Sequence, residues 1–278
     1  AFKSGLAGSA VASATYTKLA APETRIWHVD AAMPDDTGDG LSWGTAKQTI
    51  QAAIDAATAG DTVMVTNGVY RPISVSNLAI TIRSVNGADV TVIDADGGGR
   101  CALLGDPENE NAQTNTVLEG FTLQYGDIHY SGDGGGAWGG TLRNCFLHNN
   151  MGDYGGGASR SALYQCTLTS NYAYYAGGSA SRCLLEACLV TANTAMDQGG
   201  GAFGCSLNSC VITGNNCFYD GSGTYECDLT GCTVVGNISN SGGGAVSGGT
   251  AVNSIIWGNE PSSGSAPNYD GWADLSYS

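Results

Sequence analysis

From residue 118 onward, apolar positions recur on two fixed frames. One frame is Leu118, Leu142, Leu163, Leu185, Leu207, Leu229 and Ala251, and the other is Leu123, Leu147, Leu168, Val190, Ile212, Val234 and Ile256. Between them runs a thiol column, Cys145, Cys166, Cys188, Cys210 and Cys232, preceded by Phe121 and continued by Ser254. Five residues after each of these positions from Cys145 onward comes Asn150, Asn171, Asn193, Asn215, Asn237 or Asn259. The columns that begin before residue 124 first step by 24, the next step is 21, and every later step is 22 residues. A second thiol column is Cys183, Cys205 and Cys227, and glycine clusters such as Gly155-Gly156-Gly157-Ala158 and Gly199-Gly200-Gly201-Ala202 separate the units. Within a unit, apolar and polar residues alternate over short β-branched stretches, which reads as strand. Glycine and asparagine punctuate every half unit, which reads as turns. No helical period survives inside a unit.

At ~3.3 Å per residue one unit makes a coil of two or three short strands, and coils stack ~4.8 Å apart. The expected fold is therefore all-β, a parallel β-helix of about 22 residues per coil. A leucine-rich horseshoe has a similar period but needs an L-x-x-L-x-L frame, which is absent. In a β-helix the Leu/Ile/Val columns fill the lumen, and the cysteines act as small apolar side chains. Their parallel Cβ vectors make bridging awkward, so free thiols are expected. The asparagine column is expected at a corner, in left-handed backbone, with each amide bonded to the next rung. That role removes Asn237-Ile238-Ser239 as a glycosylation site. The glycine clusters fit tight corners with positive φ.

Outside the repeat, Ile50, Ala53, Ile54 and Ala57 fall at i, i+3, i+4 and i+7. They predict a helix over about 45–58 with Thr45 as N-cap, placed to cover the open first coil. The chain divides into an arm at 1–24, a capping segment at 25–60, the β-helix at 61–260 and a tail at 261–278. Val63, Val65, Ile80, Ile82, Val92 and Ile93 are the expected inward positions of the early, less regular coils. Residues 9–14 hold two overlapping A-x-A triplets, like the end of a signal peptide. The period fades after Trp257, so the last coil needs cover from residues 260–278, further chain or another subunit. Pairing at the ends, aided by the arm at 1–24, predicts head-to-tail self-association.

Two segments carry a family resemblance. Residues 43–57, followed by Gly60-Asp61-Thr62-Val63-Met64-Val65 and Gly68-Val69-Tyr70, resemble the capping helix and first coil of secreted bacterial pectate-lyase-like proteins. These form the right-handed parallel β-helix superfamily. The Gly-Gly-Gly-Ala clusters with the Cys-x-φ-x-x-Asn frame are also similar to repeats of polymorphic outer-membrane proteins and related adhesins. The resemblance covers about residues 26–260 and is specific for fold but weak for activity. It implies a right-handed coil, bacterial-type secretion and an extracellular or cell-surface site. A structural or adhesive scaffold that binds glycan is the expectation. A polysaccharide lyase or glycoside hydrolase acting in a groove along the coils is the alternative.

Composition narrows the partners. Ten Lys and Arg against 25 Asp and Glu leave a net charge of −15, so phosphate backbones are poor ligands. No apolar run is long enough for a transmembrane helix. With 42% hydrophobic residues the chain can build a core. Its 43 glycines lack a Gly-X-Y period.

Candidate chemistry is sparse. Gly40-Leu41-Ser42-Trp43-Gly44 matches G-x-S-x-G but lacks the strand before it and the helix immediately after. Asp36-Thr37-Gly38 resembles an aspartic-protease triplet without a second copy. Asp35, Asp36 and Asp39 resemble part of a calcium loop, yet Ala46 stands where the bidentate Glu belongs, and Asx turns explain the run equally well. No other cofactor is expected. On this fold a lyase needs cations and a base, for which Arg160 and Arg182, 22 apart, are the best pair. A hydrolase needs two carboxylates, and Asp153 and Asp197 share a column with Tyr175 between them. Tyr130, Tyr154, Tyr172, Tyr174, Tyr175, Phe218 and Tyr219 precede the glycine clusters, with Asp133 and Asp220 nearby. Stacked coils would gather them into an aromatic, acidic ridge suited to a polysaccharide or cell-surface glycan. Tyr154, Tyr174, Tyr175, Asp197, Tyr219 and Asp220 are the expected binding set. Mutual packing of the loops is the competing explanation.

Overall fold

A computed structural model describes residues 23–76, 78–108, 113–261, 267–269 and 274–276. Most of the expected arm at 1–24, and much of the tail, lie outside these residues. The described chain is a parallel β-solenoid of about nine turns. Its strands form three sheets of 17, 9 and 6 strands, here sheets A, B and C. Every pairing between the described strands is parallel, as in Leu163 with Leu185 and Leu185 with Leu207 in sheet A. Sheet B aligns Leu147, Leu168, Val190, Ile212 and Val234.

Both apolar frames point into the lumen. Leu118, Leu142, Leu163, Leu185 and Leu229 are fully buried, as are Leu123, Leu147, Leu168, Val190, Ile212 and Val234. All ten cysteines are buried free thiols. The thiols donate inward to main-chain carbonyls, for example Cys188 Sγ to Leu163 O at 3.5 Å. The asparagines form a ladder. Asn171 Nδ2 donates to Asn193 Oδ1 at 3.0 Å, and Asn193 Nδ2 to Asn215 Oδ1 at 2.9 Å. Each also donates to a lumen carbonyl, as Asn193 does to Leu168 O. At the far end Asn268 Oδ1 stands in for the missing rung and accepts from Asn259 Nδ2 at 3.1 Å.

Two local expectations change. The ladder asparagines are not themselves left-handed; the residue before each one is, as in Asn149 (φ 54), Ser170 (φ 54) and Ala192 (φ 54). A corner needs one residue to turn the backbone and the next to point inward, so one side chain cannot do both. Likewise Val92 faces outward while Ile93 is buried, because neighbours on a strand point to opposite faces.

Two segments pack against the first described strand. β1 (Ile26–Val29) pairs with β2 (Thr62–Val65) on one side. On its other side Lys47 forms a single parallel bridge with Val29. His28 N donates to Gly40 O, Lys47 N to His28 O and Asp30 N to Lys47 O. Residues 40–47 thus occupy the first strand edge. Helix α1 (Ile50–Ala56) follows and buries Ile50, Ala53 and Ile54 in the core. It is shorter than 45–58 and its N-cap is Thr49, whose Oγ1 accepts from Ala52 N at 3.2 Å. Thr45 instead ends a 3₁₀ turn, because the extended bridge at Lys47 keeps the helix from starting earlier. At the C-terminal end Asp274–Ser276 add a strand to sheet A beside Val246–Val252. In sheet B the last described strand is Ile255–Trp257.

Candidate functional site

The loops before the glycine clusters do gather on one corner. Tyr172–Ala176 is a strand of sheet C, paired with Met151–Tyr154 through an irregular register around Asp153. That irregularity lets Tyr154, Tyr174 and Tyr175 splay outward together. Their rings form one unbroken series. His129 meets Tyr130 at 4.4 Å between centroids, Tyr130 meets Tyr174 at 5.0 Å, and Tyr174 meets Tyr175 at 5.1 Å. Tyr175 then meets Tyr154 at 5.4 Å, Tyr154 meets Phe203 at 5.9 Å, and Phe203 stacks on Tyr225 at 6.0 Å. Tyr130 is 70% and Tyr175 42% exposed, so the outer rings are open to a ligand.

Charged groups flank this ridge. Arg160 and Arg182 occupy the same left-handed corner in adjacent coils, with φ 53 and 52. Arg182 places its guanidinium 5.9 Å from the Tyr154 ring centre. Both arginines face Asp133. Burial pushes the Asp133 carboxyl up, Arg182 and the Tyr154 amide oppose it, and Asp153 adds to the rise. Asp153 Oδ1 accepts from Tyr130 N at 2.8 Å and so fixes the loop that carries Tyr130. The Tyr174 hydroxyl, lying against Tyr130, pushes that phenol up. Arg100 ties the loop down from beneath, donating to Asp133 O at 2.7 Å and Gly134 O at 2.9 Å.

Not every expected residue joins. Asp197 is linked through main chain, its N donating to Tyr175 O and its O accepting from Tyr219 N. The Tyr219 ring meets Phe218 at 4.9 Å in a separate pair. The Asp220 carboxylate lies against Gly243, where an added Cβ would come within 2.0 Å of its oxygen. The side chain therefore fills the next rung rather than the ridge. Phe203 and Tyr225 were missed because they lie after the glycine clusters, on the outward face of sheet A. Their signal was the shared column with Ser181 and Ser159. Asp127 and His129 were also missed. The Asp127 carboxylate contacts the His129 ring and accepts from its amide.

The three loop aspartates turn to separate partners. Asp35 accepts from Thr37, Asp36 from Thr49 and Asp39 from Leu41 and Thr45. Among the described residues no group of three or more His, Cys, Asp or Glu is arranged to hold a metal ion. Ser42 of the G-x-S-x-G match is exposed and bonded to Thr45.

No protein-family model matches this chain. No curated protein matches it either. Among solved structures, the pectate lyase Pel9A is similar with a TM-score of 0.55 and 14% identity, over 91% of this chain and 79% of that one. A rhamnogalacturonan lyase gives 0.47 and 11%, over 91% and 87%. A lacto-N-biosidase from Eubacterium ramulus gives 0.42 and 12%, over 91% and 68%. The likeness to Pel9A is one of fold: a parallel β-helix spanning nearly the whole described chain.

Proposed function

We propose that this protein is a secreted or cell-surface β-helix that binds a glycan along its aromatic ridge and serves as an adhesive scaffold. One observation carries the reading, the unbroken ring series from His129 to Tyr225. Aromatic faces stack on the C–H faces of sugar rings, and carboxylates and guanidinium groups beside them bond hydroxyls. Asp133, Asp153 and Arg182 supply those groups. A solved β-helix of similar fold is named a pectate lyase, which supports a sugar partner. No described helix is long and apolar enough to cross a membrane.

The test is a glycan array read with the intact protein and with Tyr175→Ala. Binding of at least one oligosaccharide, weakened tenfold or more by the substitution at unchanged unfolding temperature, is the expected result. Equal binding by both proteins would remove the ridge reading.

A second reading has one specific observation behind it. Asp133 is a carboxyl raised by burial beside a second carboxylate, Asp153, the arrangement that separates acid and base roles in glycosidases. Under that reading Asp133→Asn abolishes release of reducing ends while leaving binding intact. Absence of any turnover by the unaltered protein on the sugar it binds would discard it.

A further inference from the structure

The left-handed corner before the asparagine ladder is built from Asn149, Ser170, Ala192, Gly214, Gly236 and Gly258 in six successive coils. In the coil before them the same corner holds Tyr125, at φ 54 and 47% exposed. A bulky residue in this region is uncommon, and such strain concentrates at functional sites. The ring is not needed for the core; its one ring contact is an edge-on approach to His148 at 6.0 Å. It instead forms a wall of a cavity of about 330 Å³, with Asp96, Gly97, Asp127, Asn149 and Met151. Asp96 also lines a second cavity of about 340 Å³ with Val69, Tyr70, Arg71 and Asp94. The loops that frame the first cavity are tied by Gly97 N to Tyr125 O and Asp127 N to Gly99 O, both 2.8 Å.

The two cavities form a short groove across successive coils. Arg71 lines one end, and at the other end Asp127 contacts His129, the first ring of the ridge. Each cavity lies at the lower end of the size range for small-ligand sites, which suits one sugar ring apiece. An aromatic wall with a few convergent polar groups is the usual make-up of such sites. Asp94, Asp96 and Asp127 can accept bonds from sugar hydroxyls but repel a carboxylate, and among the described residues Arg71 is the one cation lining either cavity. Burial lowers the His148 imidazole against the pull of Asp94, which disfavours a positive charge there.

We propose that this groove, with Tyr125 as stacking platform and Asp96 between its two halves, holds consecutive units of a neutral glycan chain whose remainder lies on the ridge. This rests on the ridge reading and adds to it a substrate class, neutral rather than uronate, and a direction along the solenoid. The proposal is tested by calorimetric titration of the full chain with cello-, xylo-, manno- and chitohexaose, and with hexagalacturonate as the anionic probe. Two groove variants are compared with Tyr175→Ala: Tyr125→Ala, which places at this corner the residue found at Ala192, and Asp96→Asn, which keeps a residue tolerant of left-handed backbone. The expected result is that a neutral hexamer binds at least tenfold more tightly than hexagalacturonate. Both groove variants then lose tenfold or more with unfolding midpoints unchanged. Loss in Tyr175→Ala alone, with both groove variants binding normally, overturns the groove and leaves the ridge standing. Equal or tighter binding of hexagalacturonate overturns the substrate class. Failure of every hexamer to bind the unaltered protein overturns both proposals together.

Discussion

At the scale of single residues, two kinds of position carry the coil. The first is the left-handed corner residue. Ala187 sits there at φ 52 before Cys188, where the next coils use Ser209 and then Gly231. A Cβ in this region costs about 1–2 kcal/mol, and glycine returns about 0.5–1 kcal/mol of that as chain entropy. Ala187→Gly is therefore expected to stabilise the protein by about 0.5–1 kcal/mol in urea unfolding, and a loss of stability would contradict this account of the corner. The second kind is the ladder asparagine. Asn193 is fully buried, and its Oδ1 accepts from both the amide and the side chain of Asn171. Asn193→Ala strands two buried donors, each costing roughly 1–3 kcal/mol. A total loss of about 3 kcal/mol is expected, read by the same unfolding experiment, whereas a cost below ~1 kcal/mol would mean that the ladder is ornamental.

At the scale of elements, the N-terminal closure depends on one carboxylate. Asp61 is 1% exposed. Burial alone would raise its pKa, but hydrogen bonds from Trp27 Nε1, Thr58 N, Arg25 N and Thr58 Oγ1 outweigh it and hold the pKa at about 2. Those bonds join β1, the end of α1 and β2. Because the folded pKa lies below the unfolded value, the stabilisation is present above about pH 4 and disappears as pH falls toward 2. Its size is about 2 kcal/mol. Thermal unfolding followed from pH 6 to pH 2 should show this loss in the unaltered protein and a shallower acid dependence in Asp61→Asn. Identical acid profiles for the two would exclude Asp61 as the source. The helix itself was legible from Ile50, Ala53 and Ile54. Its start was not, because the Lys47 bridge to Val29 is a contact across 18 residues that no local pattern announces.

At the scale of the whole molecule, each coil contacts its neighbours along the stack, as in other solenoids. Removing one whole unit, residues 210–231, joins Ser209 to Cys232 and preserves every column. That variant is expected to fold, with the ridge shortened by its last ring, Tyr225. Removing 210–230 instead joins Ser209 to Gly231 and leaves two residues at a corner that each coil turns with a single left-handed one, so it should be clearly less stable. Circular dichroism and size exclusion on the pair decide the matter, and equal behaviour of the two would refute the column account.

What the sequence determined by itself was whatever repeats: the 22-residue coil, the inward Leu and Cys columns, the asparagine ladder and the all-β class. Stacking turns a sequence period directly into contact, so a column in the sequence is a column in space. The candidate site was half legible for the same reason. Tyr154, Tyr174 and Tyr175 share a corner by register, and they do meet. What only the tertiary structure decided lies where the repeat is broken or where side chains turn within a coil. Tyr219 and Asp220 hold the expected register but rotate to Phe218 and Gly243. Phe203, Asp127 and His129 enter the site from other strands, and the groove beside Tyr125 arises where irregular early coils leave space between rungs. A period fixes which backbone positions are adjacent; the side-chain rotations and gaps that make a binding surface are set by packing between coils that differ.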